Sequence, residues 1–178
     1  MDKCFNLPSL ALTDSLAEML GESLSHGDVV CLSGDLGVGK STLARGIICS
    51  LQEYEKQQDD IPSPTFTLIQ EYDTRIGKLW HIDLYRLNKT TDFLELDLKE
   101  GFSTATCLIE WPERLGAYLP ERRLDVSMSF PVPDIKKDYS VVDIDFLDMQ
   151  GRCVRINTHG DGWFQLAGNV SYWMENLL

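Results

Sequence analysis

Residues Gly34 to Ser41 read GDLGVGKS and satisfy the spacing G-x-x-x-x-G-K-[ST]. These residue types at this spacing suit the holding of a polyphosphate. Gly34, Gly37 and Gly39 let the backbone take φ values that a Cβ would forbid. The chain can then turn its N–H groups inward around a phosphate, at the positive end of a helix dipole. Lys40 is placed to reach β- and γ-phosphate oxygens, and Ser41 to offer its hydroxyl to Mg²⁺. A chance match in a chain of this length arises on the order of once in a hundred. The competing reading is a glycine turn that only caps a helix. The flanking sequence argues against it, with a buried strand before the loop and an amphipathic helix after it.

A magnesium nucleotide site also needs a carboxylate at the end of a strand neighbouring the loop, to orient Mg²⁺ or to activate the attacking water. Two apolar runs end this way. LWHID sets Asp83 after Leu79 to Ile82, and CLIE sets Glu110 after Cys107 to Ile109. Either acid by itself reads equally well as a solvated strand end; two of them beside a phosphate loop are harder to dismiss. His81 lies two residues before Asp83 and so shares its strand face, where a structural role is the expectation. In CLIEWPERL, Pro112 stops the strand just after Glu110, because it cannot donate to a ladder. Trp111 between them reads equally as a packed indole or as a residue that shapes the site or a partner surface.

The elements that must position these groups follow from periodicity. Thr13 is expected to N-cap a helix with Leu16, Leu20 and Leu24 on one stripe, ending near Gly27. DVVCLSG reads as a buried strand, and Leu43, Ala44, Ile47, Ile48 and Leu51 recur at helical spacing after the glycine turn. FTLIQEY and KLWHIDLY, joined by Asp73 to Gly77, predict a β-hairpin. Asp92 to Glu100 reads as a short helix, and TCLIE and RLDVSMSF as strands. VVDIDFLDMQGRCVRI reads as a hairpin turning at Gln150 and Gly151. The tail places Trp163, Leu166, Val170, Trp173, Met174 and Leu177 on one face of a helix over about 163–177, packed on the sheet. Its tryptophans are expected in the core. Gln52 to Pro64 is polar and acidic and reads as a surface loop rather than a boundary. The expectation is therefore one α/β domain over 1–178.

Bulk properties narrow the class. The 178 residues suffice for a core that folds without staples. No apolar run approaches a membrane span, and MDKCFNLPSL does not resemble a secretory leader. Five cysteines, never spaced C-x-x-C, fit small buried side chains in a reducing cytoplasm rather than zinc ligands or disulfides. The net charge of −12, from 28 acids and 16 bases, makes the chain a poor stand-alone binder of nucleic acid. A local basic patch or a basic protein partner stays compatible with it.

Motif order separates the nucleotide-binding families. Asn88-Lys89-Thr90-Thr91 lacks the final Asp with which N-K-x-D holds guanine. The D-x-x-G at Asp148 to Gly151 follows it, in the wrong order for a GTPase. ATP is the expected nucleotide. The blocks SGDLGVGKSTLARG, SPTFTLIQEYD, LWHIDLYRL, LELDLKEGF and LIEWPERL, in that order, resemble the bacterial TsaE (YjeE) ATPases of tRNA threonylcarbamoyladenosine biosynthesis. The resemblance runs from about Leu12 to His159 and thins at both ends.

That resemblance implies a phosphate-loop α/β fold, a mainly parallel sheet flanked by helices with an added antiparallel hairpin element. It implies Mg²⁺-dependent ATP hydrolysis, slow in isolation. It also implies association with a TsaD–TsaB pair, which transfers a threonylcarbamoyl group to adenosine 37 of tRNAs reading codons that begin with A. The chain would then meet tRNA only through that complex. Carried over by position, Asp35, Leu36, Gly37, Val38, Gly39, Lys40, Ser41 and Thr42 match the nucleotide loop, with Ser41 in place of a commoner threonine. Glu110 matches the family's Mg²⁺ ligand, beside Ser41. Asp83 matches an acid that activates water or supports the metal indirectly. Thr65, in SPTFT, matches a switch-like loop that senses the γ-phosphate, and Pro64 restricts Ser63 to extended conformations. Leu10 to Thr13 is a positional expectation for the base pocket. The alternative reading is a small-molecule kinase of the same loop class, with Arg114, Arg122 and Arg123 as its only candidate clamp.

Overall fold

The strand ahead of the glycine loop is apolar on both faces, so it must lie in the middle of a layered sheet. In the structure, a computed structural model describing residues 2–52, 61–87, 98–131 and 151–176, it does. The order of elements is β1 (Asp2–Leu7), α1 (Leu10–Ser23), β2 (Val29–Ser33), α2 (Lys40–Leu51), β3 (Ile69–Thr74), β4 (Gly77–Asp83), α3 (Leu98–Thr104) and β5 (Thr106–Glu110). A 3₁₀ helix (Pro112–Tyr118), β6 (Arg123–Ser129), β7 (Arg152–His159) and α4 (Phe164–Glu175) follow. Among the described residues, one seven-stranded sheet has the order β1-β7-β6-β2-β5-β4-β3. Strands β6, β2, β5 and β4 run parallel at its centre. The edges are antiparallel, through β6–β7–β1 on one side and β4–β3 on the other.

Alternation along β2 explains the two-layer core. Val30 and Leu32 pack with Leu16, Leu20, Leu43 and Ile47 of α1 and α2, whereas Val29 and Cys31 face Ile82, Leu98, Ile109 and Leu115. Each fully buried Leu or Ile contributes roughly 2 kcal/mol. Strand β6 buries only Leu124, Val126 and Met128 on alternate positions. Helix α4 covers the first layer with Trp163, Leu166 and Val170. It is pinned to α1 by Trp173 Nε1 donating to Ser15 Oγ at 2.8 Å and Asn169 Nδ2 donating to Ser23 Oγ at 2.8 Å.

Several sequence expectations are corrected. The first helix starts a turn before Thr13. Ser9 is its N-cap, with extended backbone and a hydroxyl that accepts from Leu12 N, while Thr13 bonds back to Ser9 O from inside the helix. The helix ends at Ser23 rather than near Gly27. Strand β3 begins at Ile69, not Phe66, because Leu68 takes φ 64° and breaks the extended run. Strand β1 was not anticipated, since DKCFNL alternates too little to stand out. Of the cysteines, Cys31 and Cys107 are buried as expected, but Cys49 and Cys153 are only half-buried. Burial pushes the Cys107 thiol up to about 12 and raises Cys31 further still. The helix expected over Asp92 to Glu100 is described only from Leu98. The first arm of the 141–156 hairpin with Gln150 of its turn, most of the Gln52–Pro64 loop and Asn88 to Thr91 lie outside the described residues. Among the described residues, no helix is long and apolar enough to cross a membrane.

The far end of the parallel strands, opposite the glycine loop, is fixed by a buried acid. Asp28 accepts from Ser25 N at 2.8 Å and forms an ion pair with Arg122 at 2.7 Å, tying the start of β2 to the start of β6. Arg122 also lies over the Trp163 ring at 4.3 Å and donates to Asp161 O. Arg122→Ala leaves the Asp28 charge buried without its cation. It should lower stability by about 2 kcal/mol, the half-exposed arginine reducing the effect of a fully buried pair. Urea unfolding followed by circular dichroism checks this.

Candidate functional site

Parallel pairing decides where the chemical groups meet. Strands β2, β5 and β4 are parallel neighbours, so their carboxyl ends lie on one edge of the sheet. The glycine loop leaves β2 there. In register, Leu32 pairs with Glu110 and Glu110 with Asp83, which sets the two acids side by side. The edge opens into a cavity of about 270 Å³ lined by Gly37, Lys40, Ser41, Thr65, Asp83, Tyr85, Glu110 and Trp111, among others.

The loop is shaped for an anion. Gly34, Gly37 and Gly39 take φ of 134°, 77° and 110°. Gly39 is the N-cap of α2 and offers no side-chain bond, and the first turn of α2 carries no acid. The helix thus presents free N–H groups and its positive end toward the cavity. Leu36 at the loop tip is exposed, and Arg152 Nε donates to Val38 O at 2.7 Å, holding the loop from the far side. A second cavity, about 110 Å³, lies there between the loop and α1; Ser9, Leu10, Thr13, Gly37, Thr42 and Arg152 are among its walls.

Lys40 is buried and folds back on its own loop. Its Nζ donates to Gly34 O at 2.7 Å and Asp35 O at 2.9 Å, and lies 3.8 Å from the centre of the Trp111 ring. Burial pushes its ammonium below the ordinary lysine range, while Glu110, Glu113, Asp83 and Asp35 pull it back up. Trp111 holds this position from a left-handed backbone at φ 59°, and its ring meets Tyr85 at 5.0 Å. A bulky residue in that region costs about 1 kcal/mol or more, and such strain is a feature of functional sites.

Glu110, 2% exposed, is held at both oxygens. Ser41 Oγ donates to Oε2 at 2.8 Å, and His81 Nε2 donates to Oε1 at 2.9 Å. Asp83 has a similar arrangement. Thr65 Oγ1 donates to its Oδ2 at 2.8 Å, and Tyr85 N donates to Oδ1 at 3.0 Å. Ser63 Oγ lies 2.8 Å from Thr65 Oγ1, and Leu68 N donates to Pro64 O at 2.7 Å, closing the SPTFT turn over the acid. Phe66, exposed at the tip of that turn, stacks under the Arg86 guanidinium at 4.2 Å.

The structure therefore gathers Lys40, Ser41, Thr65, Asp83 and Glu110, which the sequence separates by up to seventy positions. It does not gather the three arginines. Arg122 is bound to Asp28 at the opposite edge of the sheet, and Arg123 is forked onto Asp125. Sequence reasoning missed the link from His81 to Glu110 and the packing of Trp111 on Lys40. The spacing of His81 two before Asp83 signals only that the two share a face; the register that brings His81 to Glu110 and the packing of Trp111 have no local signal. The oxygen-only pair of Ser41 and Glu110 suits a hard cation such as Mg²⁺, which takes few protein ligands and keeps waters and phosphate oxygens. Among the described residues, no group of three or more His, Cys, Asp or Glu is poised to enclose a metal.

Comparison with known proteins identifies the family of the chain. The family model described as threonylcarbamoyl adenosine biosynthesis protein TsaE matches residues 7–134. A Rickettsia felis protein named tRNA threonylcarbamoyladenosine biosynthesis protein TsaE is 37% identical over 116 residues, 65% of this chain and 66% of that protein. The Treponema pallidum protein of that name is 38% identical over 111 residues, 62% of this chain and 78% of its own length. Its Mycobacterium bovis namesake is 38% identical over 131 residues, 68% and 76% of the two chains. The fold matches the crystal structure of Bacillus YdiB with a TM-score of 0.71 at 24% identity, over 99% of this chain and 97% of that one.

Gly34 is the residue on which the loop turns. A Cβ there would lie 2.1 Å from Met128 O, at a φ that side chains rarely adopt. Gly34→Ala should lower stability by about 3 kcal/mol. It should also reduce phosphate-ligand affinity, because the loop must shift off β6. Denaturant unfolding alongside nucleotide titration measures both.

Proposed function

The chain belongs to the TsaE family, and from that premise we propose that it is an Mg²⁺-dependent ATPase subunit of tRNA threonylcarbamoyladenosine formation. The observation that supports this reading best is the convergence of a lysine–serine phosphate loop with two in-register carboxylates at the ends of β4 and β5. We assign the loop 35–42 to the triphosphate. The smaller cavity between α1 and the loop, with Leu10 and Thr13 on its wall, is the space we assign to the base.

The roles follow from what each group can do. Lys40 releases the Gly34 and Asp35 carbonyls and turns its ammonium to phosphate oxygens. Ser41 and Glu110 would hold Mg²⁺, which would supply positive charge to neutralise the phosphate oxygens. Asp83, steadied by Thr65 and Tyr85 N, orients or deprotonates the attacking water. Thr65 couples that acid to the SPTFT turn, so a γ-phosphate contacted by the turn would be felt at Asp83. Turnover is weak in the lone chain and rises with partners of the TsaD–TsaB kind, through which the chain meets tRNA. A phosphorylating role on a small molecule gains no support from the arginines, two of which are bound to acids away from the cavity.

The test in cells is the level of the modified nucleoside in tRNA. A strain lacking this protein should lose most of it, and unchanged levels would remove the assignment. In the purified protein, Lys40→Ala should weaken ATP binding by about a hundredfold or more, as the charge-assisted contact of its ammonium with phosphate is lost. Glu110→Ala should lower Mg²⁺-dependent phosphate release by about a hundredfold while ATP binding without metal persists. Calorimetry and a phosphate-release assay, with and without partners, measure these effects.

A further inference from the structure

The two oxygens of Glu110 have different partners. Oε2 meets Ser41, a hydroxyl at the mouth of the cavity. Oε1 meets His81, which is 0% exposed and does not line that cavity. His81 sits on β4 opposite Leu108, two pairs before Asp83 meets Glu110 and on the same face, so its ring reaches diagonally across the ladder. An ionised carboxylate only accepts, so Nε2 carries the hydrogen of this contact. Nδ1 has no partner among the described residues. A buried polar atom left unsatisfied costs free energy that packing alone could have avoided. The other end of the ring must therefore be worth keeping.

We propose that His81 is a positioning residue that fixes the Glu110 carboxylate by its inner oxygen, so that only Oε2 is presented to a divalent cation beside Ser41. This rests on the metal assignment above and deepens it. When Ser41 turns its hydroxyl to the cation, the Ser41–Glu110 bond is given up. The His81–Glu110 bond is the half that stays. It holds the carboxylate plane while the outer half changes partner, as donors behind metal ligands commonly do.

The experiment compares His81→Gln with His81→Asn in the full-length protein. The Gln amide nitrogen matches the reach of Nε2, whereas the Asn amide stops near Nδ1 and leaves Oε1 without its donor. Mn²⁺ binding to the protein–ADP complex, read by electron paramagnetic resonance, is the signal. ADP binding in chelator checks the loop without metal. H81N should weaken Mn²⁺ by about tenfold or more with metal-free ADP binding kept, and H81Q should stay within about threefold of wild type. Equal Mn²⁺ affinity in wild type and H81N would overturn the proposal, as would failure of H81Q to restore binding. Absence of metal-linked binding in the wild type would remove the metal assignment itself. Nitrogen NMR of the wild-type imidazoles, only three in the chain, gives a reading that needs no variant. Hydrogen on Nε2 of His81 supports the arrangement, and a bare Nε2 with hydrogen on Nδ1 alone overturns it.

Discussion

The parallel pairing of β2, β5 and β4 is the constraint on which the molecule turns. Because the three strands run the same way, they end on one edge, and whatever residue closes each strand faces the same space. The glycine loop closes β2, Glu110 closes β5 and Asp83 closes β4. No side chain has to reach far. A one-residue slip of β4 against β5 would turn Asp83 into the α3 layer and expose it to Ile109. The apolar faces of these strands therefore hold more than the core; they hold the register of the site.

That edge concentrates charge where water is scarce. Lys40, Asp83 and Glu110 are all buried, with His81 behind them. Charges in such a place persist only if each finds partners, and here they do so locally. Carbonyls and an indole hold the lysine, a hydroxyl and an imidazole hold Glu110, and a hydroxyl and a backbone N–H hold Asp83. Apart from the imidazole, which stays behind Glu110, these partners lie where a ligand could take their place. A nucleotide would exchange them rather than create charge in an apolar cavity, which is how a site can be preorganised and still stable. Two non-glycine residues with positive φ, Leu68 and Trp111, sit at its rim, where backbone is bent to make the exchange geometrically available.

Much of this was legible in the chain because it was written in local rules. The glycine spacing, the apolar run before it and the acid at each strand end depend on neighbours within ten residues. They yielded β2, α2, β4, β5 and the loop. The N-cap of α1 was misplaced because Ser9 and Thr13 both carry capping hydroxyls, and only the path out of β1 decides between them. Strand β1 was invisible because its stability comes from β7, some 150 positions away. The grip of His81 on Glu110 depends on strand register, and the contact of Trp111 with Lys40 on a left-handed turn. Neither is a property of a short window. Arg122 misled in the other direction: as a charge near Arg114 and Arg123 it suggested a clamp, yet the fold uses it against Asp28 at the opposite end of the strands.

The contact between Ser41 and Glu110 joins residues 69 positions apart, across a parallel ladder that hairpins alone cannot build. Parallel pairing requires long crossovers, whose closure entropy must be offset by contacts across the ladder. The cavity is complete only when β2, β5 and β4 are all paired. A ligand that recognises this whole edge binds the native state, and so stabilises it by an amount that grows with the logarithm of the ligand concentration over its Kd. In a cell that keeps such a ligand abundant, the chain would be most resistant to unfolding and proteolysis while loaded. Its lifetime would then register the supply of the ligand.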